Sequence, residues 1–313
     1  MHIEKRKQGK KIKYYLAYSF REKAKVRKIR RYLGENLSKS NLEKLKKRAE
    51  EILVQQIKSY KSIKSPMGHE LAEHELEVLE ILEAKGSIKI GHLSEKDWMR
   101  FTGFFTYDTN AIEGSTLKLD EVKDILEDNQ WPIDALKSDI SETYGVAEAI
   151  KYLRRTKESF SIKLINKLHK VVFENSKPFA GKLRKKGVEV VIKDGLGKII
   201  HVGAPVSRIK NLLEELVKWY NSNKKRYHPL VLAVVVHNNF EMIHPYEDGN
   251  GRVGRLLLNH ILLKHKMPPV NIGMENRQEY YKALEEYQNY RNIRPMIELI
   301  IKEYKILKHK FDG

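Results

Sequence analysis

Apolar and polar positions along this chain follow two periods. In residues 11–20 (KIKYYLAYSF) and 26–33 (VRKIRRYL), tyrosine and β-branched residues alternate with cations across a polar stretch. This pattern predicts a β-hairpin that ends at Gly34. Ser40-Asn41-Leu42-Glu43 reads as a capping box opening an amphipathic helix over about 40–57. Residues 62–68 (SIKSPMG) form a linker, which gives a small module over 1–65 and a larger domain over 66–313. From there the period is mostly helical, with helices expected over about 70–84, 94–113, 119–127, 135–155, 161–175, 206–222, 228–243 and 252–263. One segment, 187–200 (GVEVVIKDGLGKII), alternates at Val188, Val190 and Ile192, and its Asp194-Gly195 is a hairpin turn signal. The fold class is mainly α, with one β-hairpin in the large domain. Leu230 to Val236 is a wholly apolar run that periodicity alone leaves open between strand and helix; the segment after it decides for helix.

That following segment carries the chemistry: His244-Pro245-Tyr246-Glu247-Asp248-Gly249-Asn250-Gly251-Arg252-Val253-Gly254-Arg255. Pro245 disfavours helix at His244, so His244 should project from a helix end. Gly249 and Gly251 permit a tight turn into a new helix, whose first N–H groups suit an anion. Arg252 and Arg255, three apart, share a helix face and can reach that anion with forked donors. Asp248 is a hard oxygen donor suited to Mg²⁺, and His244 is a base that titrates near neutrality. Each residue alone is an ordinary turn or surface residue, but the twelve together point to phosphoryl or nucleotidyl transfer.

The segment resembles the signature of the Fic family, HPF-x-[D/E]-GNGR-x-x-R, with Tyr246 where phenylalanine is usual. Leu168-His169, the run Gly181 to Arg184 and Arg277 to Leu284 extend the likeness. The resemblance implies a helical core and transfer of AMP from ATP to a Tyr, Ser or Thr hydroxyl of a target protein. On that basis His244 would be the general base and Asp248 the Mg²⁺ ligand. Gly249, Asn250 and Gly251 would hold the α-phosphate, Arg252 the β-phosphate and Arg255 the γ-phosphate. Tyr280 and Tyr281 are as well explained by helix packing as by adenosine contact. Val188, Val190 and Ile192 would form a flap that docks the target. Thr109-Asn110-Ala111-Ile112-Glu113-Gly114 resembles the family's inhibitory motif, in which Thr109 and Glu113 share a helical face and Glu113 occupies the γ-phosphate position on Arg255. In some relatives this glutamate also aligns a water that removes AMP.

Composition narrows the setting. With no cysteine, disulfides, thiolate metal sites and cysteine nucleophiles are excluded. No apolar run approaches the ~20 residues of a membrane span, and the N-terminus has no signal-like stretch, so a cytoplasmic protein is expected. Residues 1–33 hold thirteen Lys/Arg against two Glu, +11 of a net +19. Such a head suits a nucleic acid or an acidic partner, or reflects general Lys/Arg enrichment. A nucleic-acid-binding regulator is therefore the alternative function. A target-binding or homodimer module over residues 1–60 is a third.

Overall fold

The computed structural model describes residues 1–22, 25–64, 93–185, 187–193 and 199–312. The chain divides into two compact units, Met1–Lys61 with Val190–Gly203, and Ser62–Glu189 with Ala204–Gly313.

In the first unit the expected hairpin has a third strand. β1 (His2–Gln8), β2 (Lys11–Glu22) and β3 (Lys25–Glu35) form an antiparallel sheet in that order. A bulge lies between Tyr14 and Tyr15. One face of the sheet, with Leu16, Ile29 and Leu33 at its centre, packs on Ala49, Leu53 and Ile57 of α1 (Lys39–Lys64). α1 runs beyond the expected 40–57. The same unit includes the second hairpin, β4 (Val191–Lys193) with β5 (Ile199–Val202), in which Ile192 pairs with His201. Its expected Asp194-Gly195 turn lies outside the described residues, as does the helix expected over 70–84.

The second unit is helical. α2 (Glu95–Ile112) opens on a capping box between Ser94 and Asp97. α3 (Leu119–Lys123) continues as a π-turn that Asn129 ends in a left-handed conformation. α4 (Lys137–Arg155), α5 (Ile162–Phe173) and α6 (Val206–Asn223) follow at the expected positions. α7 (Pro229–Ile243) and α8 (Asn250–Lys264) pack on each other at the centre. Leu230 to Val236 is buried throughout, and a helix apolar on all sides is one enclosed by others. α2, α4 and α5 pack on α8; α6, α9 (Arg277–Tyr290) and α10 (Arg294–Asp312) pack on α7. Among the described residues no helix is long and apolar enough to cross a membrane.

The closest approach of α4 to α5 depends on a missing side chain. A Cβ on Gly145 would lie 2.2 Å from the Val172 carbonyl oxygen, and backbone on both sides leaves little room to yield. Gly145→Ala is therefore expected to destabilise the protein by about 1–3 kcal/mol. This is despite alanine's helix preference, and the denaturant midpoint would measure it.

Candidate active site

Between α7 and α8 the chain makes one tight turn, and both helices are fixed by burial. α7 ends at His244, which takes the left-handed conformation (φ 50°, ψ 62°) before Pro245. Its Nδ1 lies 3.2 Å from the Glu241 carbonyl oxygen. A carbonyl only accepts, so Nδ1 carries the proton and Nε2 the lone pair. Arg184 braces the same residue from behind. Its Nε donates to the His244 carbonyl at 2.7 Å, and its backbone N–H to that of Pro245 at 2.9 Å. Tyr246, at the position where phenylalanine is usual, is fully buried. It stacks on His169 at 3.7 Å and donates its hydroxyl to Asn166. His169 accepts from the Gly181 N–H through Nδ1, so its Nε2–H donates to the Asp248 carbonyl at 3.1 Å. Burial holds its pKa down at about 4, so the ring is neutral and keeps both bonds.

The turn itself needs its glycines. Gly249 has φ 80° and starts α8; a Cβ there would lie 2.3 Å from the Phe173 ring. The Asn250 amide closes the loop, accepting from the Tyr246 N–H and donating to its carbonyl. That side chain is thus engaged with the turn. What the turn offers an anion is the backbone N–H groups at the start of α8, which have no partner within the helix.

Both signature arginines are buried and both are paired. Arg255 donates from Nε to the Thr109 hydroxyl at 2.7 Å, and from Nη2 to the Thr109 carbonyl at 2.9 Å and to Glu113 Oε1 at 2.8 Å. Burial alone would lower its pKa, but Glu113 and Tyr280 outweigh it and raise it. α2 ends at Ile112, with Glu113 as its cap and Gly114 at φ 102° beyond. The inhibitory residues expected from the sequence therefore meet Arg255. A Cβ on Gly251 would lie 2.1 Å from Glu113 Oε1, so the carboxylate rests against the first turn of α8.

Arg252 is held by Glu142 of α4 through Nη1, and its Nη2 lies 3.7 Å from Asp248. Lys177 stands between two carboxylates, 3.0 Å from Asp248 Oδ2 and 3.5 Å from Glu142 Oε1. Burial would raise the Asp248 pKa, but Arg252 and Lys177 bring it below the ordinary value. Glu113, Glu142, Lys177, Asp248 and Arg252 line a cleft of about 150 Å³ together with Asn110, whose buried amide has no partner. Asp248 is an ionised, half-exposed oxygen donor, a hard ligand of the kind that would hold Mg²⁺.

Other expected residues separate. Tyr280 is 1 % exposed and its hydroxyl sits between Arg255 Nη1 (3.4 Å) and His237 Nε2 (3.1 Å). Tyr281 is 43 % exposed, with its hydroxyl 3.4 Å from the Ile112 carbonyl. Val188 lies ahead of β4, its N–H donating to the Lys185 carbonyl at 3.1 Å. The Val190 carbonyl accepts from Gly203 at 3.1 Å, and Ile192 is in β4. Glu142, Lys177, the Asn110 amide and Arg184's grip on His244 were not foreseen. Glu142, Lys177 and Arg184 each act from 60 or more residues away, where no local pattern signals the contact.

Glu241, one turn before His244, is a further carboxyl beside this cluster. Its Oε1 is buried without a partner. Burial and the Glu113 charge push its pKa up to about 8 against the pull of Arg255, and burial raises Glu303 to about 7. At pH 6.5 both hold protons in the folded state that the unfolded chain has already lost, and Glu241 still does so up to about pH 8, so stability should fall as pH rises through this window. Each group contributes at most about 1.4 kcal/mol per pH unit. Denaturant unfolding at the two pH values should show this loss, and Glu241→Gln should remove a large part of it.

Residues 159–262 match the family described as Fic/DOC. The chain is 32% identical over 223 residues to the protein adenylyltransferase fic-1 of Caenorhabditis briggsae, covering 69% of this chain and 42% of that protein. It is 32% identical over 221 residues to the protein adenylyltransferase Fic of Nematostella vectensis, covering 68% and 50%. The chain thus spans half or less of the length of these curated relatives. The solved structure of Fic-1 from Caenorhabditis elegans superposes with a TM-score of 0.61 at 26% identity, over 88% of this chain and 78% of that one. A Fic family protein from Desulfovibrio desulfuricans G20 gives 0.64 at 22% identity over 79% and 76%, a likeness of fold.

Proposed function

This chain carries a domain of the Fic/DOC family, and on that premise we propose that it is a protein adenylyltransferase, moving AMP from ATP to a Tyr, Ser or Thr hydroxyl of a target protein and restrained by Glu113. The observation that carries this reading is the arrangement at the start of α8. There a base, a carboxylate, backbone donors and two arginines converge, and one arginine is already occupied by a glutamate. The relatives named adenylyltransferases support the same chemistry.

In this account His244 Nε2 takes the proton of the target hydroxyl. Its oxygen forms a bond to the α-phosphorus of ATP as the bond to pyrophosphate breaks. The N–H groups of Asn250 and Gly251 lie where charge grows on the α-phosphate, and fixed dipoles of this kind supply a large share of rate enhancement. Arg252 and Arg255 hold the β- and γ-phosphates once Glu142 and Glu113 yield them. Asp248 would hold Mg²⁺, which neutralises and orients the phosphates when bound. Asn110 offers an unpaired amide in the same cleft. Val190 and Ile192 would hold the target's backbone by strand addition. Removal of AMP by water would use the same pocket and the same base.

Labelled ATP tests the reaction class. Label on the α-phosphate should enter protein with Mg²⁺ present, and label on the γ-phosphate should not. Entry of the γ-label would make the chain a kinase and end this reading.

A further inference from the structure

The N-terminal sheet has a second face, which α1 does not cover. Strand register fixes its members. Ile3, Tyr14, Leu16, Tyr18, Phe20 and Ile29 pack on the α1 side. Glu4 pairs with Tyr15, Arg6 with Lys13, Tyr15 with Tyr32, Ala17 with Arg30 and Ser19 with Lys28, so these residues and Arg21 belong to the opposite face.

That face is ordered as well as basic. Its inner carboxylate, Glu4, accepts from Arg30 Nε at 2.8 Å, contacts Lys28 and lies 3.4 Å from Arg6 Nη2, while a second, Glu35, stands opposite Lys13 and accepts from Lys11 at 2.7 Å. Lys28 and Arg30 pull its pKa down to about 2, so it keeps these partners at any working pH. The Arg6 guanidinium lies 5.1 Å over the Tyr15 ring, and Tyr15 meets Tyr32 at 5.4 Å and 53°. Ala17, the small residue between these side chains, is wholly covered. Among the described residues five cations, Arg6, Lys13, Arg21, Lys28 and Arg30, thus share one surface with Glu4 among them and the Lys11–Glu35 pair at its edge.

We propose that this face docks in the major groove of duplex DNA, with its cations on the phosphates. Its outer strands stand roughly 10 Å apart at ordinary strand spacing, which suits a groove about 12 Å wide. A protein partner would need an apolar centre with charge at the rim, whereas here the centre is charged. Protein–DNA interfaces have that polar, positive character, and β-sheet readers of the groove are an established geometry. Duplex RNA presents a major groove too narrow and deep to enter. A single strand would need open aromatic platforms, but Tyr15 and Tyr32 are tilted against each other and Arg6 covers Tyr15. This inference does not depend on the transferase reading.

The test uses the full chain and a fluorescent mixed-sequence DNA duplex of about 20 base pairs, followed by anisotropy across salt. With up to five phosphates neutralised, the slope of log affinity on log salt should lie at about −3 to −5. Lys13→Glu with Arg21→Glu, two cations outside the Glu4 network, should weaken binding at least about tenfold and flatten the slope by about 2. Lys44→Glu with Lys47→Glu, exposed on α1, makes the same charge change and should cost less than about threefold. Equal loss from both pairs would overturn the proposal. So would absence of duplex binding at low salt, equal affinity for an RNA duplex, or displacement of the DNA by polyglutamate at matched charge, the mark of an acidic protein site. The wild-type slope and the competitor comparison stand even if the first variant fails to fold.

Discussion

Replacing His244 with alanine is expected to lower AMP transfer by about 10²–10⁴-fold and to leave ATP affinity nearly unchanged. The reason is geometric. The residue caps α7 in a left-handed turn, its carbonyl is fixed by Arg184, and its Nδ1–H is committed to the Glu241 carbonyl. On this account Nε2 acts as the base and only the attacking hydroxyl needs it. The phosphates would be met by α8 and its arginines, which the substitution does not touch. Steady-state transfer and a direct nucleotide-binding measurement separate the two effects. Full activity in the variant would remove His244 from the mechanism, and lost binding would make it a structural residue.

Glu113→Gly is expected to act in the opposite direction, raising transfer about ten- to hundredfold, the range set by a charge-assisted pair of about 1.5–3 kcal/mol. The carboxylate lies 2.8 Å from Arg255 Nη2, against the first turn of α8. On this account a γ-phosphate and Glu113 contend for the same donor. ATP affinity should therefore rise in the variant, while AMP and ADP, lacking that phosphate, should bind both forms about equally. Adding Arg255→Ala should cancel much of the gain, because the freed arginine is what orders the triphosphate. Thr109 remains as a neutral partner for Arg255, so its guanidinium is not left orphaned when the glutamate is gone. Equal transfer by wild type and variant would defeat the restraint and leave the transferase reading intact.

How far the sequence anticipated this site depends on the range of the forces involved. The turn 244–255 could be read because proline, two glycines and a helix start are local constraints within twelve residues. The grip on Arg255 could be read as well, since Thr109 and Glu113 are one helical turn apart and Gly114 ends the helix. The apolar run at Leu230 to Val236 was resolved only by the turn after it, because a fully buried helix loses its period. β1 escaped notice because, apart from Ile3, His2–Gln8 is polar, and the strand is fixed by its pairing to β2. Glu142 and Lys177 escaped for a different reason. Each is an unremarkable charged residue until folding brings α4 and the segment after α5 beside α8, where they hold Arg252 and Asp248. Tyr280 and Tyr281 are neighbours in sequence, yet the helix turns one into the core against Arg255 and leaves the other half exposed.

The central claim is that this chain transfers AMP and that Glu113 restrains it. Intact-mass and peptide mass spectrometry of Glu113→Gly, incubated with ATP and Mg²⁺ alone and in a cell lysate, tests it most directly. The account predicts that the mass of AMP is added to a hydroxyl side chain, on this chain or on a lysate protein, faster than with wild type and not at all with the added His244→Ala. Addition of phosphate alone, or no addition by a folded, ATP-binding variant, would contradict it.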